Sequence, residues 1–236
     1  MSDQGEMMQN FQPTPGCPIP VRIFADSAVR EEVEPWLRTG LVCGVTTNPT
    51  LLRRAGLQVS DIAEVARWAA GDGEREVCFQ LWGDTAEQQY SNAMRIHELA
   101  PGALIKVPVT PAGVTVVSRL HAQGVQVLLT AVYAAKQAAI ASALGVRYLA
   151  PYYNRMLAAG RDGAAEIGRM ASMIPQDGRG PLILAASVKS GRQVVELLDV
   201  GVRVLTLPPA VIADLFTDQL TDKAVADFEA DIQAAL

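Results

Sequence analysis

The chain has 236 residues, half of them hydrophobic, 19% charged and 6% aromatic, and its formal net charge is −5. That length can bury one large core, and an apolar content this high excludes a mainly disordered chain. Mild acidity without any basic run speaks against nucleic acid as a partner. The longest uncharged stretch, 120–135, is broken by His121, Gln123 and Gln126. It is too short and too polar to span a bilayer, so the expectation is a soluble, cytoplasmic α/β domain with no membrane partner.

In chain order, residues 1–20 come first, and their prolines and polar residues read as a loose arm. This arm has neither a basic start nor an apolar centre, so it does not read as a secretory signal. From Val21 onward, short β-rich runs alternate with longer segments of helical period. The expected strands are 21–25, 43–45, 76–81, 104–107, 125–130, 148–150, 182–186 and 202–207. The expected helices between them are 30–38, 61–70, 85–99, 111–123, 134–144, 163–173 and 191–199. Asp84 or Thr85 suits the cap of the third helix, and Pro111 suits the first turn of the fourth. Gly124, Gly145 and Gly201 each stand just past a helix, where a left-handed residue is favoured. A final helix over 220–236 carries an apolar stripe of Ala224, Phe228 and Ile232 and needs a surface to pack on. Eight such beats without a domain-sized linker predict a single (β/α)8 TIM barrel over 21–236, with an additional C-terminal helix.

Scarce residues narrow the chemistry. Cys17, Cys43 and Cys78 stand far apart with no CxxC, which indicates inert thiols rather than a disulfide framework or a zinc site. His97 and His121, the only histidines, both fall in helical patterns, so a histidine triad or metal centre is not expected. No GxGxxG or GxxxxGK[ST] string is present.

Barrels place their chemistry at the carboxyl ends of the strands. Here those ends carry Asp26, then Thr46-Thr47-Asn48, Gln80, Lys106, Thr130, Tyr152 with Arg155, and Ser187 with Lys189. Solvated strand ends account for most of these taken singly, but they fit Lys106 poorly. It stands between Leu104, Ile105, Val107 and Pro108, and a strand in a helix-covered barrel has no free solvated face. Such a lysine snorkels, pairs with a carboxylate, or is used. Burial disfavours an ammonium ion, and an amine among apolar walls can attack a carbonyl to form a Schiff base. A structural ion pair and a nucleophile both remain open on these grounds.

The strings ADS, GVTTNPT, IKVPVT, LLTAVY, APYYNR, LAASVKS and LTLPPAV occur in that order along the chain. Together they resemble the transaldolase family, and within it the small-barrel branch that includes fructose-6-phosphate aldolase. The resemblance runs from about Ile23 to the C-terminus. It implies class I aldol chemistry without metal or organic cofactor. Lys106 corresponds to the Schiff-base lysine of the IKVP motif, and Asp26 to the acidic residue ending the first strand. Thr46 and Asn48 correspond to groups that hold substrate hydroxyls. Gln80 and Thr130 correspond to residues that position a water or hydroxyl for proton transfer, and Tyr152 to the acid/base. Arg155 and Ser187, with Lys189, correspond to the acceptor's phosphate site. The implied partners are sugar phosphates and further copies of the chain, since family members form ring-like homo-oligomers through the C-terminal helix.

Within the branch, transaldolases usually carry glutamate, phenylalanine and arginine where this chain has Gln80, Tyr152 and Lys189. The expectation is therefore an aldolase-like site that releases dihydroxyacetone. The alternative is a transaldolase that passes the unit to a second aldose phosphate. A non-catalytic sugar-phosphate binder and a different Schiff-base barrel, such as a deoxyribose-phosphate aldolase, complete the set. The acceptor end departs from the family pattern. Leu157 replaces a common aspartate, and the segment 159–163 contains Arg161 and Asp162.

Overall fold

A computed structural model describes residues 20–73, 75–175 and 180–236. All of the expected arm except Pro20, and Cys17 with it, lies outside the described residues. Eight strands form the sheet: β1 (Arg22–Asp26), β2 (Val42–Thr46), β3 (Glu76–Gln80), β4 (Leu104–Pro108), β5 (Val127–Val132), β6 (Tyr148–Pro151), β7 (Leu182–Ala185) and β8 (Val204–Leu207). Each pairs in parallel with its neighbour in sequence and β8 returns to β1, which closes the barrel. This is the expected (β/α)8 architecture.

Around it run α1 (Arg30–Arg38), α2 (Pro49–Arg54), α3 (Ile62–Ala70), α4 (Ala86–Leu99), α5 (Pro111–Ala122), α6 (Gln137–Leu144), α7 (Tyr153–Ala158), α8 (Gly163–Met173), α9 (Gly191–Asp199), α10 (Pro209–Asp214) and α11 (Gln219–Ala235). Thr85 caps α4 by accepting from the Gln88 amide, and Pro111 opens α5 beneath the Thr110 cap. Gly124, Gly145 and Gly201 all adopt positive φ just past a helix.

The fifth and eighth strands start two residues later than expected. The Val125 amide donates to the Leu120 carbonyl, and the Val202 amide to the Leu197 carbonyl. These bonds close the preceding helices, so the chain is not free to join the sheet until Val127 and Val204. The sixth helix starts at Gln137 rather than at 134, because the Gln137 side chain accepts from the Tyr133 and Ala134 amides and holds them in a turn.

Strand alternation sorts the side chains into two cores. Ile105, Val107, Val127, Leu129 and their equivalents face the helices, whereas Phe24, Cys78, Leu104, Leu128, Tyr148, Leu184 and Val204 fill the interior. Gly44 is required there, because a Cβ would lie 2.4 Å from the Phe24 ring. The β1–β2 register skips Cys43 at that point, a local bulge. The amino end of the barrel is closed by a polar plug. Arg22 donates to the Tyr148 hydroxyl (2.8 Å), Tyr148 donates to Glu76 (2.7 Å), and Arg147 also pairs with Glu76. With an apolar middle and a plugged floor, a ligand has access only from the carboxyl end.

Candidate active site

The inward positions of the last strand layer place Asp26, Thr46, Gln80, Lys106, Thr130 and Thr206 around one mouth, with Tyr152 at the extension of β6. Lys106 is 3% exposed, and its Nζ donates to the Thr47 carbonyl at 2.9 Å. Among the described residues it has no ion pair, which removes the salt-bridge reading of this lysine. Beneath it lies Cys78, fully buried. Burial pushes its thiol pKa up to about 12, against a smaller opposing pull from Lys106. The layer under the amine is therefore uncharged at neutral pH. Gly113 lets α5 approach directly behind this strand, since a Cβ there would sit 2.2 Å from the Pro108 carbonyl.

On one side of Lys106 is a directed chain of hydroxyls. Thr46 Oγ1 donates to Asp26 Oδ1 at 2.7 Å and lies 2.6 Å from Thr206 Oγ1. Thr46 has one hydrogen and gives it to the carboxylate, so the second contact must use the Thr206 hydrogen. Both threonines are fully buried, and Asp26 is half-buried. Asn48 caps α2, its Oδ1 accepting from the Leu51 amide at 3.1 Å, which leaves its amide hydrogens for a ligand. Gln80 lies at the edge of a 470 Å³ hollow shared with Leu52, Leu57, Val59 and Trp82.

On the other side, Thr130 Oγ1 and the Tyr152 hydroxyl are 2.9 Å apart. The Arg155 guanidinium stands 4.7 Å over the Tyr152 ring and reaches the Tyr133 hydroxyl at 3.5 Å. The bond to Tyr133 leads the influences holding Arg155 above its ordinary guanidinium range. Backbone bonds fasten this side down. The Tyr152, Tyr153 and Asn154 amides donate to the Val132, Ala186 and Ser187 carbonyls. Ser187 and Ala131 both have φ of +59°, the only positive values among described non-glycine residues. Each costs on the order of 1–3 kcal/mol, a strain found typically beside functional groups. Lys189 is exposed and paired with no carboxylate among the described residues. Its amide donates to Gln193.

All ten residues singled out in the sequence therefore lie at the carboxyl end of the barrel, in two groups. Three further residues complete the arrangement. Thr47 acts through a backbone carbonyl, and Thr206 looks like an ordinary strand threonine, so neither carries a side-chain signal. Tyr133 lies in the loop after β5, although it closes the LLTAVY string. His97 and His121 are near the C-terminal ends of α4 and α5, remote from this mouth. Cys43 is half-buried, with burial raising its pKa and Arg22 opposing that shift.

A closed barrel holding a buried lysine, without an ion pair among the described residues, in a ring of hydroxyl, amide and carboxylate groups has the layout of a barrel enzyme with its site at the carboxyl ends of the strands. The model of the transaldolase/fructose-6-phosphate aldolase family matches residues 23–236. The chain belongs to that family. Among the described residues no helix is long and apolar enough to cross a membrane.

Proposed function

We propose that this barrel is a class I aldolase of the fructose-6-phosphate aldolase kind, cleaving and forming the bond between a dihydroxyacetone unit and a phosphorylated aldehyde. The observation that carries this reading is Lys106, 3% exposed and without an ion pair among the described residues, facing a Tyr152–Thr130 hydroxyl pair. The Lys106 amine adds to the C2 carbonyl of a ketose phosphate and loses water, giving an iminium ion. Tyr152, directly or through a water, takes the proton of the C4 hydroxyl. The C3–C4 electron pair then moves into the iminium, leaving an enamine on Lys106 and an aldehyde phosphate held by Arg155 and Ser187. Protonation of the enamine carbon and hydrolysis release dihydroxyacetone. Asp26, through Thr46, and Asn48 hold the donor's hydroxyls and escort protons during imine formation. Gln80 fixes the water.

Borohydride with dihydroxyacetone tests this directly. The expected result is a three-carbon adduct on the peptide containing Lys106. No adduct in folded protein, or an adduct on another lysine, rejects the reading. Fructose 6-phosphate is then offered with and without erythrose 4-phosphate. Cleavage without acceptor supports the aldolase, whereas strict dependence on acceptor makes the chain a transaldolase. Helix α11 has no buried residue, and Leu220, Phe228 and Ile232 are 77%, 70% and 52% exposed. We assign this face to a neighbouring copy in a ring-like, cytoplasmic homo-oligomer. Light scattering at the monomer mass would contradict that assignment.

A further inference from the structure

Tyr133 is held on every side. Its amide donates to Gln137 Oε1 at 2.8 Å, and its carbonyl accepts from Arg161 Nη1 at 2.8 Å. Two residues on, the Ala135 amide donates to Glu166 at 2.6 Å. The loop is thus clamped by α6, by α8 and by the linker before α8. The side chain projects from this fixed base. Its ring meets the Tyr152 ring at 5.6 Å and 74°, edge to face, and its hydroxyl accepts from Arg155 at 3.5 Å. Arg155 in turn covers the Tyr152 ring at 4.7 Å, so the three side chains form a closed triangle. At one corner two donors face solvent, Arg155 exposed and Tyr133 half-buried. The Tyr133 hydroxyl hydrogen has no acceptor, and Arg155 has no carboxylate, among the described residues.

We propose that Tyr133 is the specificity-determining residue on the acceptor side, donating its hydroxyl hydrogen to the terminal phosphate monoester that Arg155 grips, while its ring props Tyr152 against Thr130. This rests on the aldolase reading above. One rigid aromatic then links recognition of the acceptor's charge to the placement of the acid/base. An arriving phosphate draws Arg155 toward itself, and the Tyr133 hydroxyl follows from acceptor to donor by rotating one hydrogen. Tyr152 keeps its edge-to-face support throughout. An aldehyde without phosphate gives neither donor a partner. The discrimination expected from one hydrogen bond to a charged group is about tenfold.

The test uses the intact protein and Tyr133→Phe, which keeps the ring and removes only the oxygen. Dihydroxyacetone is condensed with D-glyceraldehyde 3-phosphate and, separately, with D-glyceraldehyde. The expected result is a fall of about tenfold in the ratio of the two kcat/KM values, carried by KM for the phosphorylated aldehyde. The inhibition constant of inorganic phosphate should rise by a similar factor. A ratio and an inhibition constant both within twofold of the parent overturn the proposal, as does an equal loss on both aldehydes. Tyr133→Leu, which also removes the prop, should lower kcat with both. Borohydride trapping of dihydroxyacetone needs no acceptor. Trapping intact with an unchanged ratio therefore refutes the role of Tyr133 alone, while absent trapping in the parent refutes the aldolase reading.

Discussion

Cys78 ties the stability of the barrel to pH in a way that can be calculated. Its thiol has an ordinary pKa of 9.0, which burial pushes up to about 12 in the folded chain. Between those values the folded protein keeps a proton that the unfolded chain has lost. Stability from this group is thus complete below pH 9 and declines as pH rises toward 12. At pH 10 the loss relative to pH 7.5 is on the order of 1 kcal/mol for this one thiol. Replacing Cys78 with alanine removes the titration together with some packing, a truncation costing about 1 kcal/mol in a closed site. Urea melts of both proteins, under reducing conditions at pH 7.5 and pH 10, give the penalty of the substitution at each pH. It should be about 1 kcal/mol at pH 7.5 and vanish or reverse at pH 10. Other alkaline groups, such as the buried Tyr148 phenol, also raised by burial, act on both proteins and cancel. A penalty equal at the two pH values would falsify the argument. It would also undercut the uncharged floor beneath Lys106, since a readily formed thiolate there would pair with the amine.

Lys106→Met should abolish borohydride trapping without lowering stability. The lost bond to the Thr47 carbonyl costs about 1–3 kcal/mol, which replacing a buried polar group by an apolar side chain of similar length offsets, and a fall of the melting temperature by several degrees would contradict that balance. Tyr152→Phe should slow cleavage by about 10²-fold or more while leaving dihydroxyacetone trapping in place, and an unchanged cleavage rate removes the acid/base role. Thr206→Val deprives Thr46 of its donor and should reduce kcat about fivefold to tenfold, with Thr206→Ser restoring it; a serine no better than valine points to shape rather than to the hydrogen. Glu76→Gln leaves two arginines without their carboxylate in the floor of the barrel. Because these groups are partly exposed, the cost should be about 2 kcal/mol, below that of a fully buried pair, and a denaturant midpoint identical to the parent would refute the plug.

The barrel was legible in the sequence because both faces of every strand are buried, which makes each strand a short apolar run between helical segments. Lys106 stood out for the same reason: unlike Arg22 and Arg203, which stand at the amino ends of their runs, it lies near the carboxyl end of an apolar run with apolar residues on both sides. What escaped notice has physical causes. Helices α2, α7 and α10 have six residues each, too few to establish a period. The extension of β5 to Val132 depends on Ala131 adopting φ of +59°, which nothing in an alanine announces. Thr47 contributes a carbonyl, an atom every residue has. Asn48 was expected at the substrate and also proves to be a helix cap, two uses that one amide serves with different atoms.

The two halves of the mouth differ in how they are built, and that difference bears on which half sets substrate choice. Asp26, Thr46, Lys106 and Thr206 are strand residues whose direction follows from the inward alternation of β1, β2, β4 and β8. Moving any of them means shifting a strand register, which would turn a whole set of core residues outward. Tyr133, Tyr152 and Ser187 instead stand at strand extensions and in the loops that follow, and Arg155 on the short helix α7, all held by backbone bonds and by two strained residues. Such segments accept substitution without disturbing the core. The departures from the family pattern fall on this second half: Leu157 follows Arg155 on α7, and Arg161 grips the carbonyl of Tyr133. On the function proposed above, the donor side is therefore tied to the fold, while the acceptor side is the part of the site free to vary.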